Sequence, residues 1–203
     1  MRAKMKTALC TITALGLGLA NTAVAFEPGD WLIRAGGSYV NPASDNNSTV
    51  SVESASSFSF NFSYMMTDIW AIEVLAAYPF KHDIELLNGT KVGSTKHLPP
   101  TVSLQYHFRP TESLQPYIGL GVNYTNFFSE KTTGPLEGSD LDLGDSWGLA
   151  GQIGFDYLMN DNWFFNLDAR YIAIESNAEL DGNSLGKVTI DPWVYAVNIG
   201  FRF

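Results

Sequence analysis

Residues 57–64 read Ser-Phe-Ser-Phe-Asn-Phe-Ser-Tyr, with an apolar side chain at every second position. Successive side chains of a strand point to opposite faces, so this period of two predicts a strand with one apolar and one polar face. Segments of the same kind fall at about 30–40, 54–66, 69–79, 99–109, 116–127, 146–158, 163–174 and 192–203. Each is close to the roughly 9 to 11 residues a tilted strand needs to cross a bilayer. The connectors alternate too: long ones at 41–53, 80–98, 129–145 and 175–191, short ones near Thr67-Asp68, 110–115 and 159–162. Short turns at one end and long loops at the other, with both termini on the short-turn side, predict an even-stranded membrane barrel. Asn88-Gly89, Gly134-Pro135 and Asp181-Gly182-Asn183 supply turn chemistry in the long connectors. A short helix within 80–98 is a further expectation.

Sorting each strand by parity separates two populations. One face carries Trp31, Ile33, Ala35, Gly37 and Tyr39, then Phe58, Phe60, Phe62 and Tyr64, and so on to Tyr195, Val197, Ile199, Phe201 and Phe203, with no charge. The other carries Arg34, Ser59, Asn61, Glu73, Ser103, Gln105, His107, Gly119, Gly121, Asn123, Asp156, Asn166, Asp168, Arg170 and Arg202. An eight-stranded barrel has an interior only wide enough for side chains or one small ligand. The aromatic set is too bulky to enter and the small polar set fits. The apolar face therefore points outward, to lipid, and not inward as in a soluble lipocalin-like barrel. All five Trp start a segment on that face, where a hydrocarbon band would meet headgroups.

Composition and charge narrow the class further. Arg2, Lys4 and Lys6, an apolar stretch from about Ala8 to Ala20, and Ala23-Val24-Ala25 read as a cleaved signal peptide over 1–25, leaving a barrel domain over 26–203. Removing a leader with three cations and no acid deepens the formal net charge of −9 to −12, which excludes nucleic-acid binding by electrostatics. Cys10, the one cysteine, goes with the leader, so the exported chain has neither disulfide nor thiolate chemistry. No apolar run after residue 25 approaches the ~18 residues of a spanning helix. The fold class is therefore all-β: an eight-stranded antiparallel transmembrane β-barrel preceded by a cleaved signal peptide.

Several stretches resemble the OmpW family of eight-stranded outer-membrane β-barrel proteins. They are His97-Leu98-Pro99-Pro100-Thr101 leading into Gln105-Tyr106-His107-Phe108, then Pro116-Tyr117-Ile118-Gly119-Leu120-Gly121-Val122-Asn123-Tyr124-Thr125, then Asp145-Ser146-Trp147-Gly148, and Asp191-Pro192-Trp193. The closing Phe201-Arg202-Phe203 resembles the family's Tyr-Arg-Phe ending, and the aromatic C-terminus is similar to the signal read by the barrel assembly machinery. The resemblance implies the outer membrane of a Gram-negative bacterium. It also implies passive uptake of small hydrophobic molecules, alkanes in some members, through a narrow lumen with release sideways into the membrane.

Candidate residues follow from the parity and from that implication. Leu75 and Tyr117 point inward and are candidates for a lumen constriction. Arg34, Glu73, His107, Asp156, Asp168, Arg170 and Arg202 form an inward ionisable set of nearly balanced sign. It reads better as a salt-bridge filling than as an ion pathway, because buried charge is costly unless paired. Leu86, Leu87, Leu98, Leu136 and Leu143 are candidates for first contact with a solute at the loop mouth, or for packing among the loops. Gly37 and Pro100 are candidates for a lateral opening, since proline removes a ladder donor. The three histidines show no metal or catalytic spacing, so no catalytic residue, metal or cofactor is expected.

The acids Glu130, Glu137, Asp140, Asp142 and Asp145 share one connector. They read as a solvated loop, or as a divalent-ion bridge to lipopolysaccharide phosphates; Asp140-x-Asp142-x-x-Asp145 lacks the Gly and terminal Glu of a calcium loop. Expected partners are outer-membrane lipids, lipopolysaccharide and small hydrophobic solutes. The alternative function is a structural or surface-recognition barrel meeting lipopolysaccharide, host or phage without transport.

Overall fold

The computed structural model describes residues 25–43, 46, 50–108 and 113–203. The expected signal peptide over 1–25, Cys10 included, lies outside them, apart from Ala25. Fourteen strands are found among the described residues: β1 (Trp31–Asn41), β2 (Val50–Val52), β3 (Ala55–Met65), β4 (Trp70–Ala77), β5 (Phe80–Leu86), β6 (Lys91–Leu98), β7 (Thr101–His107), β8 (Leu114–Thr132), β9 (Leu141–Leu143), β10 (Ser146–Leu158), β11 (Trp163–Ile172), β12 (Glu175–Leu180), β13 (Asn183–Thr189) and β14 (Trp193–Arg202).

Eight of these close into a barrel in the order β1-β3-β4-β7-β8-β10-β11-β14, every neighbour antiparallel. The ring is completed where β14 returns to β1, with Leu32 opposite Arg202 and Asn41 opposite Trp193. Closure joins the first and last barrel strands, so among the described residues the ring has no free edge strand, which is how a sheet satisfies its backbone polar groups in a hydrocarbon layer. The expected strand segments coincide with these eight to within a few residues, β8 apart.

Burial follows the parity of the sequence. Phe58, Phe60, Phe62, Ile72, Val74, Leu120, Val197 and Ile199 are exposed on the outside, while Arg34, Asn61, Glu73, Gln105, Asn166 and Asn198 are buried within. At the short-turn end the apolar band is edged by Trp31 against Tyr64, Trp70 against Tyr106 and Trp163 against Phe201. At the loop end Trp147 packs on Tyr124, and Trp193 on Tyr171 and Tyr195. Two aromatic girdles around an apolar waist are the outer surface of a membrane barrel.

The connectors at the loop end differ from expectation. Residues 80–98 form no helix but the β5–β6 hairpin, with Phe80 opposite His97 and Asp83 opposite Ser94. Phe80, His82 and Ile84 keep the period of two, and Leu87-Asn88-Gly89 closes the turn with Gly89 at φ 79°. β8 overshoots its expected end and runs on to Thr132, pairing β6 along its upper half. β2, β5, β6 and this part of β8 make one wall above the barrel; β9, β12 and β13 make the other. Asn46 bridges the two walls, accepting from the Thr189 N–H through its carbonyl and from the Val52 N–H through its side chain.

Candidate functional site

From the short-turn end upward, the barrel interior is first closed by apolar packing. Phe26, Leu32, Met65, Ala71, Leu158 and Phe164 form a buried cluster there. Phe26 sets its ring edge against Phe164 at 5.3 Å and against His107 at 6.0 Å. Gly200 leaves the room this needs, because a Cβ at that position would overlap the Phe164 ring.

Directly above lies a network of paired charge. Arg34 grips Asp156 with two bonds, Nε to Oδ1 at 3.0 Å and Nη2 to Oδ2 at 2.7 Å, and donates to Ser63 Oγ at 2.7 Å. Its Nη1 also stands 3.5 Å from Glu73 Oε2. Glu73 receives Arg170 Nη2 at 2.7 Å and Gln105 Nε2 at 2.8 Å. Arg170 also meets Asp168 at 3.4 Å, and Tyr117 donates to Asp168 at 2.9 Å. Asn166 ties Asp156 to the Tyr117 hydroxyl, and the Arg34 guanidinium lies over the Tyr117 and Phe164 rings.

Of the inward set named from the sequence, Arg34, Glu73, Asp156, Asp168 and Arg170 thus meet in one cluster. His107 reaches it through Gln105, at 3.3 Å. Arg202 does not belong to it. Its guanidinium bonds the carbonyls of Asp161 and Ala25 and stands 3.4 Å from Asp30, at the short-turn rim. Parity gives the side of the wall a residue faces but not its height, and Arg202 is where the strand ends. Tyr117 is a member of the network, whereas Leu75 lines a small cavity of about 10 Å³ above it, with Ala77, Phe80 and Arg170.

The loop walls enclose a larger cavity of about 130 Å³, lined by Val50, Ile84, Val92, Phe127, Leu136, Leu141, Leu143, Val188, Ile190 and the ring pair His82 and His97. Of the five candidate leucines, Leu136 and Leu143 line it. Leu86, Leu87 and Leu98 do not; Leu87 stands exposed in the β5–β6 turn and Leu98 adjoins Pro99. Sequence reading missed the rest of the lining because four connectors far apart in the chain contribute to it. The available signal was the period of two in β5 and in Val188-x-Ile190.

His82 and His97 face each other with their Nε2 atoms 3.1 Å apart, and His82 Nδ1 contacts the Glu53 carbonyl. Burial pushes His97 down to about 3, helped by the neighbouring His82, and burial also lowers His82. Both rings are therefore neutral at physiological pH.

The hydrogen-bond ladder is interrupted beside this cavity. The ladder between β4 and β7 stops at Leu75 opposite Thr101 and resumes, between β5 and β6, at Phe80 opposite His97. The stretch between contains Pro79, Pro99 and Pro100, three residues without an N–H to donate. The Pro100 carbonyl accepts from the Tyr124 N–H at 3.0 Å and so ties Pro100 to β8. Gly37 has no such break: it lies opposite Val197 on one side and Phe58 on the other, in unbroken ladders, so no lateral opening forms there.

Comparison with known proteins gives consistent relationships. The model of the OmpW family matches residues 27–203. Outer membrane protein W of Vibrio cholerae serotype O1 is 40% identical over 98% of this chain and 100% of its own. The crystal structure of the outer membrane protein OprG from Pseudomonas aeruginosa superposes with a TM-score of 0.78 at 35% identity, covering 90% of this chain and 99% of that one. The dibenzothiophene metabolism operon protein PahQ of Pseudomonas aeruginosa is 28% identical over 79% of this chain and 74% of its own.

Proposed function

The chain belongs to the OmpW family and sits in the outer membrane of a Gram-negative bacterium, and from that premise we propose that it passes small hydrophobic molecules from the outside into the membrane. A solute enters the apolar cavity between the loop walls and leaves sideways through the ladder break at Pro79 and Pro99-Pro100. It does not descend the lumen. The paired charges from Arg34 to Asp168, with the Phe26 and Phe164 packing below them, fill the bore with side chains that an apolar solute cannot displace cheaply.

The observation that carries this reading is the adjacency of three things: an apolar cavity on the outer side, a charged plug beneath it, and an interruption of the wall between them. The name of the relative PahQ points the same way, dibenzothiophene being a fused aromatic with no polar hydrogen. A sealed lower barrel on its own would suit a structural or surface-recognition role, with lipopolysaccharide or another cell as partner. The cavity and the break favour transport, because such a role requires neither. Contact of the apolar waist with outer-membrane lipid belongs to both readings, and insertion by the barrel assembly machinery to either.

The test is uptake of a medium-chain alkane by cells lacking the gene, with and without its restoration, at equal surface expression of folded barrel. Restoration should speed uptake of the alkane and leave hydrophilic solutes unchanged. Equal uptake across several apolar solutes would remove the transport reading.

A further inference from the structure

The polar groups on the cavity wall have an unequal balance of donors and acceptors. The Glu53 carbonyl can only accept, so His82 carries its proton on Nδ1. In a neutral ring that leaves His82 Nε2 bare, and the proton in the 3.1 Å contact therefore belongs to His97 Nε2. His97, also neutral, is left with a bare Nδ1. That nitrogen is buried and has no hydrogen-bond partner. The hydroxyls of the lining have acceptors for their protons as well: Ser176 donates to the Gly144 carbonyl, and Thr95 has the Lys96 carbonyl and the Glu130 carboxylate. The lining side chains thus hold lone pairs in reserve and no free proton.

A buried acceptor without a partner costs free energy that a bound donor would recover. We propose that, among the small apolar molecules it admits, the cavity favours those carrying one hydroxyl or N–H group, such as phenols and short alcohols, with that group donating to His97 Nδ1. The inference rests on the loop cavity being the binding site of the proposed transport and names the class of molecule that site prefers. The volume agrees, since about 130 Å³ approaches the roughly 150 Å³ in which an engineered apolar cavity holds one benzene ring. A ketone, ester or carboxylate of the same size brings only acceptors and would face a lone pair with a lone pair.

The experiment compares p-cresol with p-xylene, which replaces the hydroxyl by a methyl of nearly equal size. Both are titrated into the full protein in phospholipid nanodiscs, with empty nanodiscs correcting for partition. The expected result is p-cresol binding about fivefold or more tightly, the worth of one hydrogen bond. The preference should vanish in His97→Phe, which keeps a ring against Phe127. In the unaltered protein, where folding is not at issue, p-cresol and not p-xylene should move the 15N resonance of His97 Nδ1 toward the hydrogen-bonded position. Equal affinity for the two probes would overturn the donor preference and leave the apolar cavity standing. A preference that survives in His97→Phe, or an unmoved Nδ1 resonance at saturation, would overturn the assignment to His97. Binding of neither probe would overturn the cavity as a site and the transport reading with it.

Discussion

Arg34 shows how much a single side chain can be committed to in a barrel of this width. Its guanidinium spends donors on Asp156, Ser63 and Glu73 while its face rests on two aromatic rings. Arg34→Leu leaves Asp156 and part of Glu73 buried without a cation, so it should cost about 3–5 kcal/mol. A urea midpoint in micelles reads this directly. Replacing Asp156 by Leu in the same chain should recover part of the loss, because removing both partners is cheaper than removing one. Failure to recover would mean that Arg34 matters through its ring contacts. His97 supports a second expectation, with a definite sign. Its folded value of about 3 lies below the ordinary 6.5, so the unfolded loops take up a proton first as pH falls. The stability given by the neutral pair is present above about 6.5 and is lost progressively toward 3. Amide exchange in 80–98, corrected for its intrinsic rate, should therefore quicken between pH 7.5 and pH 5 while 146–158 stays protected. Equal behaviour of the two segments would separate the His pair from loop stability. Parity alone puts Arg34, Glu73 and Asp168 inside, yet it places Arg202 there too. The reason is that side is a local property of a strand, whereas height depends on where its partners end.

The membrane strands were readable in the sequence because each carries its own alternation, independent of what lies beside it. The upper strands also alternate, at Phe80, His82 and Ile84, but their role is not local. The β5–β6 hairpin becomes a cavity wall only because β2, β8 and the β9–β12–β13 sheet close around it, and that closure has no signature in any one segment. The ladder break is intermediate. Pro99-Pro100 announces a missing donor, but which neighbour goes unbonded depends on the register of β4 against β7. At this scale Leu75 is informative, being the last β4 residue opposite β7, beside the small cavity under Phe80. Leu75→Arg would set a cation in that cavity, at the foot of the break. It should abolish the alkane uptake conferred by the gene without lowering the amount of folded barrel at the surface. Undiminished uptake would place the route elsewhere than at the β4–β7 junction.

For the molecule as a whole, the five Trp give a direct reading of its seat in the bilayer. All are exposed, three at the short-turn rim and two at the loop rim, with none at the waist. Lipids brominated near the headgroup should therefore quench the intrinsic fluorescence more strongly than lipids brominated at the chain ends. The opposite order would move the apolar band off the girdles. The barrel end is rigid by closure, but the loop end is two walls that meet through side chains and a few backbone bonds at Asn46 on one side, and at Thr132 and Ser139 on the other. Strand β8 breaks that symmetry. Its 19 residues, roughly 60 Å of chain at about 3.3 Å each, run from the short-turn rim to the top of one wall without leaving the sheet. It is a mast stepped in the hull of the barrel. Any widening of the mouth would leave that mast standing and swing the β9–β12–β13 sheet away from it, so a wider mouth would face one side only.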